Sequence, residues 1–213
     1  DLDKWMRGTV NSFYIGFVST FLATALGTVA ALGLSRPHMP FKGLIMAILI
    51  SPMIVPLIIT AAGMFFFYSK LGLTHSYTGL ILAHTALGTP FVVITVTATL
   101  TGFDNNLIRA SQSLGADTMR TFFKVIMPLI LPGVISGALF AFITSFDEVV
   151  VVLFVGSVEQ VTIPRQMWAG LRQEISPVIL CMATCLVALS IALLTTVELL
   201  RRRSERLRGI KHR

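Results

Sequence analysis

Two adjacent carboxylates, Asp147 and Glu148, follow a long apolar run and are the side chains most suited to chemistry in an apolar environment. A carboxylate deep in a bilayer costs about 2.5–3.5 kcal/mol on insertion scales, so it usually faces a cavity or a partner. In an ideal helix the phases of the two residues differ by about 100°. Asp147 then shares a polar and aromatic stripe with Thr144, Phe140 and Ser136, whereas Glu148 falls on a stripe of small residues. We therefore predict that Asp147 faces a solute pathway.

Two structural alternatives stay open for Asp147, namely a salt bridge to a neighbouring subunit and a helix end near the outer interface. Catalytic chemistry has little support, because the chain has neither HExxH nor GxSxG, no phosphate-binding glycine loop and no Cys/His cluster with zinc spacing. We predict no catalytic residue, no metal site and no cofactor in this chain, which would then not be an enzyme. His84 lies within an apolar run, and we expect it to hydrogen-bond a neighbouring helix.

The composition indicates that lipid surrounds most of the chain. Hydrophobic residues make up 54% and charged residues 13%, against roughly a quarter charged in a soluble domain, and the mean hydropathy is +0.82. Five runs lack charge and reach the ~20 residues that a membrane-spanning helix needs. These runs are 8–35, 43–69, 71–103, 125–146 and 175–197. We predict an all-α polytopic membrane helix bundle with five spans, forming one transmembrane domain over 1–213.

The distribution of basic residues predicts the orientation of the bundle. Twelve lysines and arginines fall on the side that holds the C-terminus, seven of them in 201–213, and five fall on the opposite side. Because basic residues stay with the cytosol, we predict a cytoplasmic C-terminus and an external N-terminus. An external N-terminus favours a sixth span upstream of residue 1. The net charge of +7 then reflects topology, and we predict no nucleic-acid partner.

Small residues recur at helical spacing in the first and fourth spans. In lipid, close backbone approach through such residues joins helices, so we predict that both spans are inner members of the bundle. The two stripes are Gly16, Thr20, Ala23, Gly27 and Ala31, and Gly133, Gly137, Ala141 and Ser145. Pro52, Pro56 and Pro90 are expected to kink the second and third spans, since proline removes a helix hydrogen bond.

A short amphipathic helix is predicted over 107–120, within a cytosolic segment at 104–124 that we name the coupling segment. Its apolar residues are Leu107, Ile108, Ala110, Leu114 and Met119, and its polar residues are Arg109, Gln112, Ser113 and Asp117. Asn105 or Asn106 can serve as its N-cap, and Gly115 can break it midway. On pattern alone, such a helix could also lie in the headgroup region of the bilayer.

The coupling segment resembles the cytosolic loop of the integral-membrane permeases of binding-protein-dependent ABC importers. That loop reads Glu-Ala-Ala, three residues, Gly, nine residues, Ile, one residue, Leu-Pro. The corresponding residues here are Arg109, Ala110, Ser111, Gly115, Val125, Met127 and Pro128. Ala110, Gly115 and Pro128 match the pattern outright. Arg109 replaces the acidic residue and Ser111 the second alanine.

The resemblance covers nearly the whole chain. Segments 114–116, 128–133 and 145–150 are similar to the spermidine/putrescine subgroup, in the second of its two permeases. The resemblance implies a type I ABC importer permease fold with six spans in the bacterial inner membrane. It also implies a second permease, two cytosolic ATPases that hold ATP and Mg²⁺, and a periplasmic solute-binding protein. The implied ATPase-coupling residues are Arg109, Ala110, Ser111, Leu114, Gly115, Ala116, Asp117 and Pro128.

The substrate stays open between a polyamine, a related amine such as 4-aminobutyrate, and another small organic cation. Kinked helices and buried carboxylates also occur in self-sufficient secondary transporters, which are the main alternative. Five or six spans without an internal repeat make that alternative weaker. An amphipathic membrane anchor is a further alternative, and it would tolerate disruption at Gly115.

Overall fold

The computed structural model describes residues 2–36, 38–104, 106–173 and 177–207, and within these ranges the chain is helical and has no β-strand. In chain order the α-helices are α1 (Leu2–Leu34), α2 (Lys42–Ile54), α3 (Leu57–Leu71), α4 (Tyr77–Thr101), α5 (Asn106–Ser113), α6 (Thr118–Thr121), α7 (Met127–Phe146), α8 (Val150–Val155), α9 (Ile163–Gln173) and α10 (Pro177–Leu207). A π-helical turn, Phe122–Ile126, joins α6 to α7. The predicted all-α membrane bundle is confirmed.

The second predicted span is broken instead of kinked. Four helices of the described chain are long and apolar enough to cross a membrane, and α2 with α3 forms a fifth candidate that bends by 105°. The bend lies at Val55 and Pro56, between the end of α2 and the start of α3. Pro52 is retained inside α2, where the Ser51 hydroxyl donates to the Ile48 carbonyl that the proline leaves without an N–H partner. Pro90 also stays inside an unbroken helix, α4.

Close approach of α1, α4 and α7 forms the centre of the bundle. A Cβ atom added to Gly27 would lie 2.7 Å from the Cβ of Val92, and one added to Gly137 would lie 2.8 Å from the Cα of Val92. A Cβ atom added to Gly88 would lie 3.0 Å from the Cβ of Ala141. The prediction that the small-residue stripes place the first and fourth spans inside the bundle is confirmed, because these contacts leave no room for a side chain.

Two of the three buried apolar clusters in the described part of the chain follow one another along α1 and α4. The distal cluster, farther from the coupling segment, contains Ile15, Ala61, Tyr68, Leu80, Ile81, Ala83, Leu87, Val151, Val152 and Val155. The proximal cluster contains Ala23, Ala31, Val92, Val96, Ile130, Val134 and Ala141. α1 and α4 run through both clusters. The distal cluster takes residues from α3 and α8, and the proximal cluster takes residues from α7.

The predicted external loop at 157–176 contains a helix, α9, that the sequence reading missed. The Asn11 amide of α1 donates to the carbonyls of Glu159 and Val161 and ties this segment to the distal end of the bundle. Burial lowers the pKa of Arg165, whose guanidinium donates to the Ser157 carbonyl. Residues 174–176 and 208–213 lie outside the described residues. Of the predicted basic tail, 201–213, the structure describes the helix as far as residue 207.

Candidate functional site

The two carboxylates lie at a break between helices, not within one helix. α7 ends at Phe146, and Asp147 is its C-cap, with its N–H bonded to the Ile143 carbonyl at 3.0 Å. The Glu148 carboxylate accepts a 2.8 Å hydrogen bond from the N–H of Val151 and so caps α8. The phase argument for these residues is therefore wrong, because no continuous helix runs through them. Of the alternatives for Asp147, the helix end is the one that the structure shows.

An open-sided cleft, which we name the acidic cleft, adjoins this break. It consists of two cavities of about 340 and 400 Å³ that share Leu57, Thr144 and Glu148 as lining residues. Asp147 lines the first cavity and is exposed, whereas Glu148 is 6% exposed. Three of the predicted pathway residues, Thr144, Asp147 and Glu148, are thus brought together.

The other two predicted pathway residues lie further along α7. Phe140 is half-buried and stacks on Phe91 with ring centroids 6.1 Å apart, and Phe91 lines the second cavity. Ser136 is half-buried and is not among the residues that line the cleft. Neither Phe140 nor Ser136 is among the residues that line the cleft, so the structure brings only three of the five predicted pathway residues together.

The opposite wall of the cleft was missed from sequence. It is formed by the break between α2 and α3 together with α4, through Pro52, Met53, Ile54, Val55, Pro56, Leu57, Leu87 and Phe91. Pro56 was the sequence signal for this break. Because proline has no N–H to donate to the preceding turn, it can end a helix as well as kink it. Irregular backbone within a membrane is tolerated where it lines a cavity or lies against protein, and this break lines the cleft.

The electrostatics of the cleft favour a cation. α2 and α7 both end at the cleft, and the C-terminal end of a helix carries partial negative charge. The N-termini of α3 and α8 also lie at the cleft and carry the opposite partial charge, so the helix ends give no net preference and the carboxylates of Asp147 and Glu148 decide the sign of the cleft. The Asp147 carboxylate makes no hydrogen bond or ion pair with any residue in the described ranges, so its charge is available to a solute.

The coupling segment folds as two short helices around a glycine turn. Gly115 adopts φ +83°, its N–H bonds the Gln112 carbonyl, and the N–H of Ala116 bonds the Ser111 carbonyl at 3.0 Å. This pair of bonds is the Schellman motif, which ends a helix with a residue in the left-handed region. The expected break of the helix at Gly115 is confirmed.

The start of α5 differs from the predicted cap. Asn106 is the first helical residue, and its N–H donates to the Asp104 carboxylate at 2.9 Å. The prediction of Asn106 as N-cap is therefore wrong, and Asn105 lies outside the described residues. At α6 the Asp117 carboxylate accepts from the N–H of Arg120 at 2.7 Å and is the N-cap.

The predicted coupling residues divide into an exposed set and a supporting set. Arg109, Ala110, Leu114, Gly115, Asp117 and Pro128 are exposed, Leu114 to 89% of its surface. Ser111 and Ala116 are half-buried, and the Ser111 hydroxyl is 2.9 Å from that of Thr121, which joins α5 to α6. A large exposed leucine on a rigid turn is suited to insertion into an apolar pocket of a partner.

The coupling segment is continuous with a span. Residues Thr118–Phe146 qualify as one apolar helical stretch of 29 residues, through α6, the π-helical turn and α7. The predicted fourth span, 125–146, lies within this helical stretch. α6 runs into α7 through the π-helical turn without a loop between them.

Comparison with known proteins places the chain among transport proteins. The family of binding-protein-dependent transport system inner membrane components matches residues 23–206. The spermidine/putrescine transport system permease protein PotC of Haemophilus influenzae is 31% identical over 202 residues, which are 95% of this chain and 79% of that protein. The putrescine transport system permease protein PotI of Escherichia coli K12 is 28% identical over 87% of this chain and 68% of that protein.

Solved structures show the same fold. The inward-facing MetNI methionine ABC transporter contains a chain that is 22% identical, with a TM-score of 0.68 over 99% of this chain and 98% of that chain. An importer of the acidic polysaccharide alginate contains one with a TM-score of 0.67 and 14% identity, over 94% of this chain and 75% of that chain. The chain therefore belongs to the binding-protein-dependent transport system inner membrane components, the multi-pass inner-membrane permease subunits of ABC importers, which are not themselves enzymes.

Proposed function

We propose that this permease moves a small organic cation of the polyamine type into the cytoplasm. The observation that carries this proposal is the acidic cleft, which is lined by the Asp147 carboxylate, a group with no hydrogen bond or ion pair among the described residues. Similarity to permeases named for spermidine and putrescine transport supports the same substrate class. The alternative of a self-sufficient secondary transporter is not retained, because the family is that of ABC importer permeases.

The proposed assembly contains a second permease, two cytosolic ATPases that bind ATP and Mg²⁺, and a periplasmic solute-binding protein. The coupling segment docks on an ATPase, with Leu114 and the exposed Arg109 on the docking face. The C-terminus and the coupling segment then lie in the cytoplasm. The open side of the acidic cleft faces the second permease, and the apolar surfaces of α2 and α10 that stay exposed face lipid or that subunit.

Transport in this proposal requires no covalent chemistry by the permease. Closure of the ATPases on ATP displaces the coupling segment, and α7 passes the displacement to the cleft. Asp147 lowers the energy of a cation at the cleft by Coulomb attraction. The expected contribution is that of a partly exposed ion pair, up to about 1 kcal/mol, or about two- to five-fold in rate or affinity.

Uptake by the complete transporter tests the proposal. Cells that lack other polyamine uptake and express all subunits should accumulate radiolabelled spermidine or putrescine, and a variant defective in ATP hydrolysis should not. Asp147→Asn should lower uptake about two- to five-fold at an unchanged amount of assembled complex. An equal fall in assembled complex would assign Asp147 a structural role, and uptake that persists without ATP hydrolysis would refute the importer mechanism.

A further inference from the structure

A buried polar node links the three central helices where the two apolar clusters meet. It consists of Ser19 on α1, His84 on α4 and Ser145 on α7, which are 1%, 1% and 6% exposed. The Nδ1 atom of His84 lies 2.7 Å from the Ser145 hydroxyl, which lies 3.0 Å from the Ser19 hydroxyl. The expectation that His84 hydrogen-bonds a neighbouring helix is confirmed, and the bond continues to a third helix.

His84 takes part in the node through Nδ1 alone. Its Nε2 atom is buried and has no hydrogen-bond partner among the described residues. Which group donates in the Ser145–His84 and Ser19–Ser145 bonds depends on the tautomer of His84 and on the rotation of the two hydroxyls. The node therefore holds Ser145 through the polar atom at the Nδ1 position, whichever way that bond runs.

The node lies next to the acidic cleft. Ser145 is in the last turn of α7, two residues before Asp147, and Leu87, one turn after His84, lines the cleft. Gly88, beside the lining residue Leu87, packs against Ala141 and holds α7 to α4 one turn before Ser145. The node is thus the hydrogen-bonded anchor of the turn from which the acidic residues project.

We propose that the Ser19–Ser145–His84 node positions the Asp147 carboxylate for the cation. The three residues are positioning residues, since none of them lines the cleft. The inference rests on the proposed function, in which Asp147 attracts the solute. Because the node acts through Asp147, breaking it can cost no more than the two- to five-fold loss expected when Asp147 itself is neutralised.

The test compares node variants with and without the Asp147 charge. Ser145→Ala removes the hydroxyl that bonds Nδ1 of His84. His84→Gln moves the amide nitrogen to the position of Nε2, whereas His84→Asn keeps a nitrogen near that of Nδ1. Uptake of spermidine and putrescine, divided by the amount of assembled transporter, should fall for Ser145→Ala and His84→Gln and be largely restored in His84→Asn. In the Asp147→Asn background the same node variants should have no further effect.

Thr89→Val is the matched control, because among the described residues the Thr89 hydroxyl bonds a carbonyl of its own helix, that of Thr85, and no neighbouring helix. It should leave uptake per transporter unchanged. Equal losses from Ser145→Ala in both Asp147 backgrounds, or no loss in either, would overturn the positioning role. If the single variant Asp147→Asn left cation uptake unchanged, both this inference and the charge-recognition part of the proposed function would fail. If the losses from Asp147→Asn and Ser145→Ala were additive, this inference would fail and the proposed function would stand.

Discussion

Gly115 offers the sharpest test of the coupling segment, because its backbone conformation is one that side chains disfavour. Its φ of +83° lies in the left-handed region, and no atom lies within 4 Å of an added Cβ. The cost of a substitution is therefore conformational instead of steric. For an L-residue it is roughly 1–2 kcal/mol, which lowers the population of the native turn about 5- to 30-fold relative to alternatives.

The size of the loss in coupled ATP hydrolysis should depend on which side chain is placed at position 115. Asparagine tolerates the left-handed region better than alanine does, and a β-branched residue tolerates it least. ATP hydrolysis stimulated by the loaded binding protein, measured with the complete transporter in proteoliposomes, should therefore fall in the order Gly115→Asn, Gly115→Ala, Gly115→Val. Binding of the solute to its binding protein should not change.

Gly102 provides a matched glycine in the same region of the chain. Its φ is −92°, an ordinary value for any residue, and an added Cβ meets nothing within 4 Å. Gly102→Ala should therefore leave coupled hydrolysis unchanged. Equal activity in all three Gly115 variants and the wild type would refute the idea that the turn transmits the ATPase movement. Equal losses at positions 102 and 115 would show that the backbone argument is wrong.

Three further predictions concern stability, docking and motion. Gly137→Ala should destabilise the solubilised permease by about 1–3 kcal/mol, because the new Cβ would lie 2.8 Å from the Cα of Val92. The thermal unfolding midpoint should fall, and an unchanged midpoint would refute the tight helix contact. Leu114→Ala should reduce co-purification of the ATPases, since burial of a leucine contributes about 1.5–3 kcal/mol; full retention would refute docking through this residue. A cysteine pair at Leu57 and Thr144, with the two native cysteines replaced, should cross-link to different extents with and without trapped ATP; equal yields would argue against movement at the cleft.

The parts of the fold that follow local rules could be predicted from sequence. Gly133, Gly137 and Ala141 recur every four residues, and any helix that contains them presents a flat face. Gly115 stands where a helix must end, and the left-handed conformation found there is the one that glycine adopts without cost. These features depend on residues close together in the chain, so periodicity and conformational preference were sufficient.

The acidic cleft could be predicted only in part. The carboxylates were identified because charge is rare in an apolar chain, but the end of α7 at Phe146 was not, since residues 149–155 are as apolar as a continuing span. The facing wall comes from Val55, Pro56 and Leu57, about ninety residues earlier. Whether a proline kinks or breaks a span depends on what packs against it, and here α3 turns away to pack on α8.

Both helix breaks line the acidic cleft, and this arrangement connects the two sites. α3 and α8 contribute to the distal cluster and α7 to the proximal cluster, whereas α1 and α4 contribute to both and are unbroken. In the proposed mechanism, a push on the coupling segment enters the proximal cluster through α7, whose Gly137 packs closely on α4. We expect relative movement of the helices to concentrate at the two breaks, which are the walls of the acidic cleft. A cation held by Asp147 would then lie where ATPase closure changes the geometry most.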